Sequence, residues 1–193
     1  MTANAQRAII LSLLVLLMAG TRLNHFAPVP DASWAVFFIG GFYLRTWTRW
    51  AFPLLMGLAV VVDWVVISNQ GMSFWQHYCV SAAYWMLIPA YFAMWTGGML
   101  QRRYYRSANL KSLAMLAATV IGSVALCHLI AQGSFYWISA SVAEPTFAGW
   151  AKNYSDWLLP YMQSAAMYIG AAALVQVVAE AVSKQPAAGR VAH

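Results

Sequence analysis

Four residues interrupt long apolar stretches in a way that packing alone does not require: Asp63, Cys79, and the adjacent pair Cys127 and His128. A carboxylate at membrane depth is costly, and it either finds a partner or faces a wet cavity. Asp63 is therefore read two ways, as an acceptor for a ligand's amide groups or as a structural hydrogen bond to a Tyr or Trp of a neighbouring helix. Cys79 stands in the run His77-Tyr78-Cys79-Val80-Ser81-Ala82-Ala83-Tyr84. On an α-helix Ala82 and Ala83 share its face, and a thiol flanked by two methyl-sized side chains stands above a smooth patch that suits a flat ligand. Thiolates are soft ligands for polarizable transition metals. No CxxC or HxxxH spacing accompanies Cys79, so the metal would have to arrive inside a macrocycle that already fills its equatorial positions. The plainer alternative, a small buried hydrophobe at a helix contact, stays open.

Tyr84 lies five residues beyond Cys79, about 140° round a straight helix, so the two do not point at one ligand from a common face. Cys127 and His128 diverge by about 100° and do not readily share one centre. As a haem ligand His128 requires a second histidine on a facing helix, whereas His25 and His77 lie in or beside loops. A Cys79–Cys127 disulfide is a further alternative on an oxidising face. The chain carries no GxSxG, HExxH, P-loop or Rossmann fingerprint. Any ATP-driven cycle would be powered by a separate subunit.

The elements that must position these residues follow from composition. Of 193 residues 62% are hydrophobic and 8% charged, against about 25% charged in soluble domains. A water-facing surface cannot be built from this sequence, whereas an all-α polytopic membrane protein can, because lipid covers the outward faces. Crossing a bilayer takes about 20 apolar residues per helix, and apolar run length predicts six spans near 8–22, 33–48, 51–68, 78–99, 112–131 and 158–181. Together they form one transmembrane domain over 1–182, followed by a frayed tail over 183–193. The first run follows Arg7 and resembles a signal-peptide core, but Ala19-Gly20 is a weak cleavage site, so it is read as a retained helix.

Lys and Arg set the orientation. With the amino terminus inside, the inner segments hold Arg7, Arg45, Arg49, Arg102, Arg103, Arg106, Lys111, Lys184 and Arg190, and the outer segments only Arg22 and Lys152. Both termini are thus expected in the cytoplasm. The net charge of +6 is explained by inner lipid headgroups, with no nucleic-acid partner. Three outer loops are expected, at 21–32, 69–77 and 132–157. Asp63 would sit about 7–8 Å below the outer end of the third span. Aromatics make up 15% of the chain and gather at the outer ends, as an interfacial belt or as the wall of an apolar cavity.

A short six-span chain with both termini inside, the outer-loop run Asn24-His25-Phe26-Ala27-Pro28-Val29-Pro30, Asp63 in the third span and the run His77-Tyr78-Cys79 resembles the BtuM-type cobalamin (vitamin B12) transporters. These are similar in fold to the substrate-binding S-components of energy-coupling-factor (ECF) transporters. The resemblance covers nearly the whole chain and rests mainly on Cys79 and its setting. It implies uptake of cobalamin across the bacterial inner membrane, with the corrin near the outer surface and the sulfur of Cys79 bonded to cobalt. It also implies His25, Asp63 and Tyr84 as pocket residues, and removal of cyanide from cyanocobalamin as sulfur replaces it on cobalt. Cobalamin is then cargo, and the chain has no cofactor of its own. The alanine-spaced motif by which many S-components dock on their membrane partner is not evident in the first span. An ECF energising module is one partner the resemblance allows, and action alone is the other. Two other functions stay open: an S-component-like transporter for another vitamin, with Cys79 only packing, and a membrane electron-transfer protein holding haem through His128.

Overall fold

Side-chain caps open three of the helices that the apolar stretches of this chain form. The structure, a computed structural model, describes residues 2–23, 30–77 and 80–184. Thr2 opens α1 (Ala3–Arg22) by accepting from the amide of Ala5 at 3.3 Å. The short α2 (Ser33–Tyr43) is followed by a 3-10 turn over Arg45–Trp47 and by α3 (Thr48–Asn69). Gly71, at φ 75°, turns the chain after α3, a conformation that costs glycine little. Two 3-10 turns, Phe74–Gln76 and Ala82–Met86, precede α4 (Leu87–Tyr104). Asn109 caps α5 (Leu110–Ile138), its Oδ1 accepting from Ser112 at 2.9 Å. Thr146 does the same for α6 (Phe147–Lys184), accepting from Gly149 at 3.1 Å.

The described residues are all-helical in fold, as expected, and four stretches are long and apolar enough to cross a membrane: α1, Arg45–Asn69, α5 and Phe147–Ser183. The expected spans need correction elsewhere. The second, expected over 33–48, is an 11-residue helix about 16 Å long, against a hydrocarbon core of about 30 Å. The fourth, expected over 78–99, is α-helical only from Leu87, after the 3-10 turn Ala82–Met86, which leaves Pro89 in the first turn, where its missing N–H breaks no helical bond. The third outer loop, expected over 132–157, is mostly helix: α5 runs on to Ile138 and α6 begins at Phe147. At 38 residues α6 is about 57 Å long, and it continues through Pro160 and past the expected domain end at 182. Residues 185–193 of the expected tail lie outside the described residues.

The core is organised round α2, eight of whose residues are buried and which packs most broadly on α4. Glycines permit the approach. A Cβ on Gly41 would land on the carbonyl of Trp95, and one on Gly98 on the carbonyl of Phe38. Trp95 is fully buried between them, and its indole donates to Thr48 Oγ1 at 3.0 Å. Phe37 stacks on Tyr91 with ring centres 4.6 Å apart, and α4 in turn packs broadly on α5. Large apolar side chains such as Leu13, Leu16, Leu113, Leu174 and Val178 point outward and are exposed, the inverse of a soluble helical bundle and the arrangement that lipid solvation requires.

Overpacking a close helix crossing costs about 1–3 kcal/mol. Gly98→Leu is therefore expected to lower the unfolding midpoint in detergent by about 3–10 °C. Gly57→Leu, where a Cβ meets open space, should leave it nearly unchanged. Equal midpoints for the two variants would contradict the packing described.

Candidate functional site

The last residue of α1 organises one end of the bundle. Arg22 is 5% exposed, and its guanidinium grips Asp63 of α3 through two parallel bonds, Nε to Oδ1 and Nη2 to Oδ2, both 2.7 Å. Such a fork is the strongest pairing a carboxylate makes with a side chain. On its other side Nη1 donates to Asp31 Oδ2 at 3.1 Å, Ser33 Oγ at 3.0 Å and Tyr91 Oη at 3.2 Å. Tyr84 donates its hydroxyl to Asp63 Oδ2 at 2.7 Å. Asp31 Oδ1 accepts from the amide and hydroxyl of Ser33 at 2.9 and 2.7 Å. Two bonds tie α6 in: Ser164 donates to the Asp31 carbonyl at 3.2 Å and Tyr168 to that of Pro30 at 2.7 Å. One cation between two carboxylates thus joins α1, α2, α3, α4, α6 and the turn before α4.

Above this network lies a cavity of about 500 Å³, within the usual range for small-molecule sites. Arg22, Asp31, Asp63, Tyr84 and Tyr91 line its polar side. Trp34, stacked on Tyr161 with ring centres 4.5 Å apart, forms an apolar wall with Phe135 and Trp157. Gln132 and Asn153 face it as a bonded pair, Gln132 Nε2 donating to Asn153 Oδ1 at 2.9 Å. His77 also borders the cavity.

The structure brings two of the four expected pocket residues together: Asp63 and Tyr84 share a hydrogen bond and one cavity. Cys79 and His25 lie outside the described residues. Asp63 takes the structural role and the cavity-facing role at once, because its main partner is Arg22. The helical face proposed round Cys79 is not what its neighbours form. Val80 and Ser81 are bends, Ala82–Met86 is a 3-10 turn, Ala82 is exposed and Ala83 fully buried. The two alanines do not form one smooth patch, and the angle reckoned between Cys79 and Tyr84 for a straight α-helix does not apply.

Cys127 is a buried free thiol rather than half of a disulfide, and it sits well inside α5, not near its end. His128 is 1% exposed, borders the cavity, and lies against Tyr154 and Tyr161 with ring centres 4.7 and 5.3 Å away. Its Nε2 is 3.0 Å from the carbonyl of Tyr154. A carbonyl only accepts, so this nitrogen carries the proton and is committed to α6. Among the described residues no group of three His, Cys, Asp or Glu side chains could hold a metal ion. Lys152 pairs with Asp156 at 2.6 Å on the exposed face of α6. Of the aromatics expected at the outer ends, Trp34 and Trp157 line the cavity, while Trp64, Trp75 and Trp137 are exposed.

Sequence reasoning missed Arg22, Asp31 and Tyr91. A signal for Arg22 existed, since a carboxylate inside an apolar span demands a partner and Arg22 ends the first apolar run on the side expected for Asp63. No family model matches this chain, and a search of curated proteins finds none similar to it.

Breaking a buried ion pair by removing one partner costs about 3–5 kcal/mol, whereas replacing both by apolar groups is often nearly neutral. Arg22→Met or Asp63→Leu alone should each lower the unfolding midpoint in detergent severely, and the double variant should regain much of that loss. Additive losses in the double variant would show that the two residues are not energetically coupled.

Proposed function

We propose that this chain imports cobalamin across the bacterial inner membrane, binding it in the cavity above Arg22 and Asp63 with the sulfur of Cys79 on cobalt. The observation that carries the reading is the convergence of Asp63, Tyr84 and His77 on one open cavity, with Cys79 two residues beyond His77 in the chain. Supporting it are an aromatic wall at Trp34 and Trp157 and polar groups at Asp63, Gln132 and Asn153 on one cavity. An ionised carboxylate offers about four lone-pair sites. Asp63 uses three of them on Arg22 and Tyr84, which leaves capacity for one further donor such as a ligand amide. His25 completes the proposed pocket from the loop between α1 and α2.

The same reading takes the molecule as six spans with both termini in the cytoplasm. Arg45, Arg49, Arg102, Arg103, Arg106 and Lys111 belong to the ends of helices away from the cavity, and Arg22 and Lys152 to the cavity end. By the positive-inside rule the cavity then opens outward. The shortness of α2 does not oppose a second span, because most of that helix is sheathed by neighbours and irregular backbone is tolerated where protein covers it. No nucleotide-binding motif is present, so the transporter acts alone or with a separate energising subunit.

With cyanocobalamin the chemistry is a ligand exchange. The Cys79 thiol gives up its proton, its sulfur takes the axial position of cyanide, the cobalt–carbon bond breaks and the cobalt–sulfur bond forms. Cyanide leaves with the proton as hydrogen cyanide, and cobalt remains trivalent throughout.

Purified protein incubated with cyanocobalamin and passed through a desalting column should retain a corrinoid spectrum altered from that of the free vitamin. Cys79→Ala should lose the alteration. Protein that elutes colourless, or vitamin uptake indifferent to Cys79→Ser, would overturn the reading.

A further inference from the structure

A second concavity lies at the other end of the bundle, where α2 stops at Tyr43. It is a groove of about 570 Å³ bordered by α2, the end of α4, the start of α5 and the second half of α6, and its lining is almost wholly apolar. Phe38, Phe42, Leu116 and Ile169 are among the residues that form it. Two features separate it from a mere packing gap. Gln101, which lines it, is 3% exposed; its Nε2 donates to the Ser112 carbonyl at 3.2 Å, while its Oε1 has no hydrogen-bond partner. A buried acceptor of this kind calls for a donor. Basic residues also adjoin it. Arg102 lies over the ring of the lining residue Phe42, 5.4 Å from its centre, and the exposed Arg106 and Lys111 are next in the chain to the lining residues Tyr105 and Ser112. The acid at this rim, Glu180, already accepts from Tyr105, Gln176 and the amide of Ala108, at 2.5, 2.9 and 3.3 Å.

We propose that this groove is a binding site for an anionic glycerophospholipid whose headgroup carries hydroxyls. An acyl chain fills the groove, where a void would forfeit dispersion contacts. The phosphate meets Arg102, Arg106 and Lys111, and a headgroup hydroxyl donates to Gln101 Oε1. The end of α2 forms one side of the site, with Phe42 beneath Arg102. It is independent of the cavity at the opposite end and of what that cavity binds.

The test uses the full chain, stripped of lipid in detergent and offered equal amounts of dioleoylphosphatidylglycerol and dioleoylphosphatidylcholine, with bound lipid counted by native mass spectrometry. Phosphatidylglycerol should be retained over phosphatidylcholine by about tenfold, given the attraction of each basic residue for an anionic headgroup. The exposed double variant Arg106→Gln/Lys111→Gln, which leaves the packed core untouched, should lose that preference. Gly170→Leu, at a position where an added Cβ meets open space, should fill the groove and lose retention of phosphatidylglycerol. Equal retention of the two lipids, retention of neither, or an undiminished preference in the double variant would overturn the proposal. Corrinoid binding, read separately by absorption, should be unchanged in both variants.

Discussion

A guanidinium taken out of water at the end of a helix long and apolar enough to cross a membrane has to be surrounded by acceptors, and this requirement shapes one whole end of the molecule. Arg22 is satisfied by two carboxylates, a serine and a tyrosine drawn from three other parts of the chain. Those partners cannot reach it unless α3 and α4 stand beside α1 in one register, with the entry to α2 folded over its end. The pairing is thus a statement about register rather than about net stability, since the desolvation of buried ions offsets most of their attraction. Glycine contacts between α2 and α4 supply the complementary constraint, fixing the bundle by shape where the ion pair fixes it by charge.

The cavity is bordered by the same pair. Because Arg22 and Asp63 bind one another, both charges are satisfied at its edge. Tyr84 carries this order into the turn before α4, since its hydroxyl is anchored to Asp63. A ligand held there by one axial bond would meet a floor that is already ordered, with the entropic advantage that preorganisation brings. The opposite end follows a different rule. There α2 ends early, and the space beside it is bordered by apolar groups and basic residues instead of a salt bridge.

Much of this was legible from residue types. The all-helical class, the apolar cores of α1, α3 and α5, the break between α3 and α4 and the special status of Asp63 all follow from apolar run length and the cost of a buried carboxylate. The helix limits were less legible, because Phe135, Trp137, Trp150 and Tyr154 continue helices beyond their apolar cores and Thr146 caps α6 within a stretch that hydropathy alone reads as loop. Pro89 carried a signal for the late start of α4 that apolar run length overrides. The Arg22–Asp63 pairing spans 41 positions and depends on which helices become neighbours, something no local pattern encodes. The glycine crossing was hidden for a similar reason: Gly40-Gly41 and Gly97-Gly98 are visible as pairs, but their meeting is a property of the packed bundle.

The central claim is that a sulfur of this chain becomes a ligand of cobalt at the cavity end. Cobalt K-edge X-ray absorption on protein loaded with cyanocobalamin and freed of excess vitamin measures this directly. One sulfur scatterer in the cobalt shell, replaced by nitrogen or oxygen in Cys79→Ala, is the predicted result. A shell of nitrogen and carbon alone, with cyanide still in place, would contradict the account.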